Sequence, residues 1–147
     1  MKNVLLYYIE QFGGLFFTKM NKLLFYTDFC AYKTTGRGVT GLTYRAIDFG
    51  PVPAQWDRLY SFYDDITQEI VHFSSGKEGT RLTATLSPDL TEFSNQELQI
   101  LESVASRFRH EISTQISETS HQEAAWQKYK DTHERIAYDM AFGLKAI

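Results

Sequence analysis

Residues 19–32 read KMNKLLFYTDFCAY, and this stretch decides the fold. Its side chains recur with the spacing of an α-helix and form two largely apolar stripes. One stripe consists of Met20, Leu23, Leu24, Thr27 and Ala31, and the other of Phe25, Phe29 and Tyr32. Because apolar residues lie nearly all round, the pattern predicts a helix buried at the centre of the molecule. Thr18 precedes it as the expected N-cap.

Shorter patterns on either side predict further helices and a small amount of sheet. Residues 4–12 form an amphipathic helix that paired glycines end, and the capping box of Ser94 and Glu97 opens another helix. Alternating apolar residues over 69–73 and 80–86 predict a β-hairpin. We therefore expect an α+β fold, mainly helical, in which helices and a small antiparallel β-sheet surround the central helix.

A predicted strand over residues 39–47 runs into a GPVP motif at 50–53. Each proline fixes its own φ, removes an amide donor and keeps the preceding residue out of the α region. The motif is therefore expected to end the strand as a rigid corner. Pro53 then serves as the first residue of a helix that carries Trp56.

A second capping-box pattern lies near the C-terminal end. Ser120 and Glu123 have the spacing of such a box and predict a short helix that carries Trp126. A last short helix is expected over residues 138–146.

The size and composition of the chain favour a single domain over residues 1–147. The sequence has 147 residues, of which 43% are hydrophobic, and this is enough for one core and too little for two ordinary domains. It contains 11 Phe, 9 Tyr and 2 Trp, more than a minimal core of this length needs. Some aromatic side chains are therefore expected on a contact surface, and a homodimer is compatible with this composition.

Charge and cysteine content exclude several classes of function. The formal net charge is −3, and the 15 Lys and Arg residues form no basic stripe, so we expect no autonomous binding of nucleic acid. The single cysteine, Cys30, excludes an internal disulfide and a cysteine-based zinc site. No secretory signal is visible, and the apolar run over 4–9 is too short for a bilayer. We expect a cytoplasmic protein without membrane contact.

Catalytic templates find no match in the sequence. There is no Gly-x-Ser-x-Gly elbow, and the glycines at 36 and 38 are too few for a phosphate-binding loop. The four histidines form no pair with metal-ligand spacing, and Cys30 lies in the apolar helix without a neighbouring histidine. We therefore expect no enzymatic activity, no metal and no cofactor.

Four short segments together resemble a known family. They are KLLFYTD at 22–28, GLTY at 41–44, GPVP at 50–53 and SHQEAAW at 120–126. In this order and spacing they resemble the Panacea domain, also called the SocA-like antitoxin domain, and the resemblance runs from about residue 18 to 126. Gln122 and Ala124 depart from the more acidic, proline-containing form of the last segment, which puts a special role of His121 in doubt.

The resemblance implies an antitoxin that binds a toxin encoded beside it and blocks its activity by direct contact. It also implies a protease as a further partner, for the case in which the protein acts as an adaptor that delivers its toxin for degradation. Other members carry an N-terminal helix-turn-helix for operator DNA. We expect that segment to be missing here or to have been removed, and we assign no DNA binding to these residues.

We predict that the GPVP corner fixes a surface that engages the toxin, because preorganised apolar and aromatic groups dominate binding energy. The predicted partner-binding residues are Tyr44, Arg45, Phe49, Gly50, Pro51, Val52, Pro53 and Trp56. The alternative, which the sequence leaves open, is that the motif only turns the chain and that its neighbours are core.

The late motif also has two interpretations. In the first, Ser120, His121, Glu123 and Trp126 have a structural role in capping and packing. In the second, His121 and Glu123 form the acid/base set of a small hydrolase or nucleotide-acting enzyme. A third function, a phage or mobile-element protein that binds a host factor, needs only a binding surface.

Overall fold

A long buried helix lies at the centre of the computed structural model, which describes residues 1–147. This helix, α2 (Phe17–Thr35), has 12 buried residues and packs against half of the other elements. The prediction of a central buried helix is confirmed. The prediction that Thr18 is its N-cap is wrong, because the extended residue Phe16 occupies that position without a side-chain cap.

The remaining helices and strands pack around α2 in the order of the chain. The helices are α1 (Lys2–Phe12), α3 (Asn95–Arg107), α4 (Ser113–His121) and α5 (Ala124–Tyr129). The strands are β1 (Leu15–Phe16), β2 (Tyr44–Ile47), β3 (Gly50–Pro53), β4 (Thr67–His72) and β5 (Glu78–Thr83). Short 3-10 turns occur at Leu59–Phe62, Leu90–Glu92 and Tyr138–Gly143. The predicted α+β, mainly helical fold is confirmed, although the last predicted helix is only a 3-10 turn.

Three strands form an antiparallel sheet in the order β1-β5-β4. The predicted hairpin is its β4–β5 pair, in which Glu69 lies opposite Arg81. Strand β1 places Leu15 opposite Leu82 on the other side of β5. Two residues are too short a stretch for a periodic pattern, so β1 was not predicted.

The second sheet corrects the interpretation of the GPVP motif. The strand predicted over 39–47 is limited to β2, and GPVP is not a corner that ends it but the paired strand β3. Tyr44 lies opposite Pro53 and Ile47 opposite Gly50, so residues 48 and 49 form a two-residue turn. Pro53 begins no α-helix, because residues 54–58 are turns.

Two prolines fit in β3 because of where their nitrogen atoms lie. The Ala54 N–H donates to the Thr43 carbonyl at 2.8 Å, so the even-numbered positions of this strand face β2. The prolines therefore face away from β2, and no ladder hydrogen bond is lost. All of β3 is buried and the strand contacts α2 and α4, where a free N–H would have no water to bond.

Buried tyrosines account for part of the aromatic excess. The fully buried Tyr8, Tyr26, Tyr44 and Tyr60 pack in one core cluster of 29 residues. Three of their hydroxyl groups bond polar residues of α2: Tyr8 bonds Thr27 at 2.5 Å, Tyr44 bonds Asp28 at 2.6 Å and Tyr60 bonds Asn21 at 2.5 Å. These three polar residues of the buried helix are therefore satisfied by aromatic partners.

The two capping boxes have different outcomes. Ser94 and Glu97 form the predicted box at the start of α3. The box predicted for Ser120 and Glu123 is wrong, because Ser120 lies in the last turn of α4 and α5 begins at Ala124. None of the helices combines the length and the hydropathy that a membrane span needs.

Candidate functional site

Segments that are distant in the sequence meet beneath the β2–β3 hairpin. Gly50 has a φ of +109°, and a Cβ atom there would lie 2.5 Å from the Ser120 Oγ and 2.6 Å from the Lys22 Cε. Only glycine fits this position, since a side chain would clash and positive φ is unfavourable for other residues. Lys22 on α2, Gly50 on β3 and Ser120 on α4 are therefore held in direct contact. Together with His121 and Trp126 they form what we call the Lys22 site.

Lys22 is buried without any partner. Its side chain is 0% exposed, and its Nζ atom makes no hydrogen bond. Removal from water disfavours the ammonium form and lowers the pKa of Lys22 to about 7. The side chain is therefore close to the balance between amine and ammonium at neutral pH.

His121 and Trp126 hold the turn of the hairpin from the helical side. Their rings stack with centroids 4.1 Å apart, and the Trp126 Nε1 donates to the Ile47 carbonyl at 2.7 Å. The Nε2 atom of His121 is buried and has no partner. Burial lowers the pKa of His121, and the positive charge of Lys22 acts in the same direction, whereas the backbone of Asp48 opposes them. These contacts make Trp126 a structural anchor of the hairpin.

Glu123 binds the C-terminal segment from the interior. Its carboxylate is 1% exposed and accepts three hydrogen bonds. The donors are the Tyr26 hydroxyl at 2.9 Å, the Lys145 N–H at 2.7 Å and the Ala146 N–H at 3.2 Å. Ser120 donates to the Ser117 carbonyl at 2.7 Å instead of capping a helix. Ser120, Glu123 and Trp126 of the late motif thus make tertiary contacts and do not form a capping box.

A second buried carboxylate fixes the loop that leads into β2. Asp28 accepts from the Tyr44 hydroxyl at 2.6 Å, from the Thr40 N–H at 2.6 Å and from the Thr40 hydroxyl. Burial raises the pKa of Asp28, and these hydrogen bonds act in the opposite direction. The central helix therefore holds both ends of β2, through Asp28 at its start and through the Lys22 site at its turn.

The structure divides the predicted partner-binding residues into two groups. The buried group cannot touch a partner in this conformation, and it supports the hairpin from inside; its members are Tyr44, Gly50, Pro51, Val52 and Pro53. Phe49 at the turn is 71% exposed, and Arg45 on the outer face of β2 is also exposed. Trp56 is half-buried, with its ring 5.7 Å from that of Phe17.

His121 and Glu123 are not arranged as a paired acid/base set. His121 and Glu123 form no hydrogen bond with each other, and the Glu123 carboxylate is already occupied by three donors. No group of three His, Cys, Asp or Glu side chains is placed to hold a metal ion. The sequence reasoning missed Lys22 as a site residue, although a lysine within an otherwise apolar helical surface was a visible signal.

The fold and the site define a mainly helical α+β protein in which distant segments of the chain meet beneath a β-hairpin whose turn is exposed. Residues 20–127 match the family model described as antitoxin SocA-like, Panacea domain. This match covers more than half of the chain, so the protein belongs to the SocA-like antitoxin family with the Panacea domain. No curated protein and no solved structure matches the sequence significantly.

Proposed function

We propose that this protein is an antitoxin that neutralises a cognate toxin by direct protein–protein binding. The observation that carries the proposal is the exposed ring of Phe49 at the turn of a hairpin that is anchored from below. Family membership supports the antitoxin role. A rigid support lowers the entropy lost on binding, and an exposed aromatic ring beside an arginine is typical of binding hot spots.

The proposed contact surface consists of Arg45, Phe49 and the exposed part of Trp56. Arg45 is only weakly held, since its guanidinium donates to the His133 carbonyl at 3.4 Å. It is therefore free to bond a carboxylate of the partner. Asp48 beside it bonds His133 at 3.0 Å. The surface thus combines two aromatic side chains with a cation.

The first test is rescue of growth. The open reading frame beside this one is expressed from an inducible promoter, with and without this protein, and co-purification is measured in the same cells. Growth arrest that the protein relieves while co-purifying supports direct neutralisation. A harmless neighbour, or rescue without binding, contradicts the proposal, and capture of a host factor alone would favour the host-directed alternative.

The second test addresses the surface with the double substitution Arg45→Ala and Phe49→Ser. Loss of a hot spot of about 2 kcal/mol weakens binding roughly 30-fold. Phe142→Ser is the matched control, because Phe142 is 66% exposed and lies outside the hairpin. Full neutralisation by a double variant of unchanged thermal stability would show that the hairpin tip is not the contact.

The finer parts of the proposal concern location and further partners. A cytoplasmic location suits a protein whose only cysteine, Cys30, is a free thiol. Delivery of the toxin to a protease predicts that toxin levels fall when the protein is present, and measuring the toxin half-life tests this. A homodimer would show as a doubled mass by light scattering.

A further inference from the structure

An apolar groove lies apart from the hairpin, between the three-stranded sheet and the chain that joins α3 to α4. It encloses about 610 Å³. Its apolar lining consists of Phe12, Leu15, Phe16, Phe17, Phe73 and Ile112. This volume lies within the range of about 300–1,000 Å³ that is usual for ligand sites.

The groove is open to solvent, and two large hydrophobic side chains at its edge are exposed. Phe73 is 43% exposed and Ile112 is 63% exposed. The rings of Phe16 and Phe73 lie 5.4 Å apart, across the position of Gly79. A Cβ atom on Gly79 would lie 2.9 Å from the Phe16 ring and 3.1 Å from the Phe73 ring. The absence of a side chain at Gly79 therefore makes room for this aromatic surface.

Charge at the groove is unbalanced in favour of cations. Lys19, Lys77 and Arg109 line it, and none of them forms a salt bridge. The Lys19 Nζ donates to the carbonyl oxygens of Phe108 at 2.8 Å and Glu111 at 2.6 Å and to no carboxylate.

The acidic side chains of the groove already have partners. Glu111 pairs with Arg107 at 3.3 Å, and Glu78 lies 3.2 Å from His72, which carries a positive charge only when it is protonated. The groove therefore presents three cations that form no salt bridge, two of them exposed, around an apolar floor, and of its two carboxylates only Glu111 is paired with an arginine. An occupant must supply both apolar side chains and negative charge.

We propose that this groove docks an acidic segment of the partner protein, with an aromatic or aliphatic side chain as anchor and carboxylates on either side. The inference rests on the proposed function, in which the partner is a protein toxin. The ring of Trp56, part of the proposed contact surface, contacts that of Phe17 in the groove lining, so the two surfaces adjoin. One partner can thus span both.

The peptide test needs no toxin. Fluorescence anisotropy compares a labelled acidic peptide, ELEEFLEE, with its basic counterpart, KLKKFLKK, on the full-length protein. The acidic peptide is expected to bind at least about tenfold more tightly at low salt, and added salt weakens it. Equal binding of the two peptides, or no binding of the acidic one, overturns the groove proposal.

Charge reversal locates the binding. The double substitution Lys77→Glu and Arg109→Glu changes exposed residues of the groove and is expected to remove the preference for the acidic peptide. Lys33→Glu with Arg37→Glu is the matched control, because it makes the same change in net charge with exposed residues near the other end of α2. An effect of equal size in both double variants overturns the groove as the site.

Growth rescue separates the two proposals. If the wild-type protein rescues growth and the groove variant rescues equally well, the groove is not a toxin contact while the antitoxin function stands. If the groove variant fails while the control variant rescues, the groove is supported. If the wild-type protein does not rescue, the antitoxin function falls, and the peptide titration alone decides whether the groove binds acidic segments.

Discussion

Replacement of the buried lysine by methionine is expected to stabilise the protein. Lys22→Met keeps an unbranched side chain of similar length and removes the amino group that has no partner. A volume-conserving exchange of this kind costs less than about 1.5 kcal/mol in packing. The variant also keeps the apolar contact that the lysine stem makes with Gly50.

The size of the effect follows from the pKa of Lys22. This pKa is about 7 in the folded protein and 10.5 for an exposed lysine, and each pH unit is worth about 1.4 kcal/mol. Because the unfolded chain holds the proton more tightly, the charge destabilises the fold fully below pH 7 and not at all above about pH 10.5. Near pH 7 the buried amino group lowers the free energy of unfolding by about 4 kcal/mol. Lys22→Met should therefore raise it by roughly 3 kcal/mol once the packing change is subtracted.

Urea unfolding followed by tryptophan fluorescence measures the free energy of unfolding of both proteins. A reducing agent is present because Cys30 is a free thiol. Between pH 7 and pH 9 the wild-type protein is expected to gain about 2 kcal/mol of stability relative to the variant. Lys33→Met, at an exposed position, is the control and should follow the wild-type pH dependence. A variant that is less stable than the wild type at pH 7, or that shows the same pH dependence, would refute a neutral buried lysine.

Two further substitutions probe the supports of the fold. Gly50→Ala should lower the free energy of unfolding by at least about 2 kcal/mol, because it adds backbone strain and overpacking. Gly36→Ala is the control, since Gly36 has a φ of +82° but open space around it, and it should lower the free energy of unfolding by only about 1 kcal/mol. Equal losses in urea unfolding would contradict the close contact at Gly50. Glu123→Gln should speed hydrogen exchange of the amides at 145 and 146 at least tenfold, because the glutamine amide cannot accept from all three donors. A buried donor left without a partner costs about 1–3 kcal/mol. The exposed Glu118→Gln is its control, and unchanged protection in both variants would rule out the proposed support.

The elements that the sequence predicted are those with strong local signals. The apolar stripes predicted α2, the paired glycines the end of α1, and Ser94 with Glu97 the start of α3. The β4–β5 hairpin followed from alternation. In each of these cases the residues that specify the element lie within it or next to it.

The elements that were predicted wrongly or not at all depend on contacts between residues that are distant in the sequence. The prolines of β3 are tolerated because that strand is buried against α2 and α4, which local rules cannot show. Helix α4 has only Ile116 as a large buried apolar side chain, so its sequence, STQISETSH, carries almost no periodic signal. The Lys22 site joins residues 22, 50 and 120, whose meeting is a property of the tertiary structure alone.

Most residues of the four segments that resemble the Panacea domain are buried in this protein, whereas the proposed contact residues Arg45 and Phe49 lie outside these segments. Lys22, Asp28 and Glu123 belong to these segments and are buried, as is the GPVP segment that forms β3. Phe49 is exposed and lies between the GLTY and GPVP segments, outside both. Because the buried contacts fix the backbone of the hairpin, the turn residue can change without loss of the fold. In this protein the buried part of these segments supports the hairpin from inside, and we expect the choice of partner to depend on exposed residues such as Phe49 that lie outside the segments.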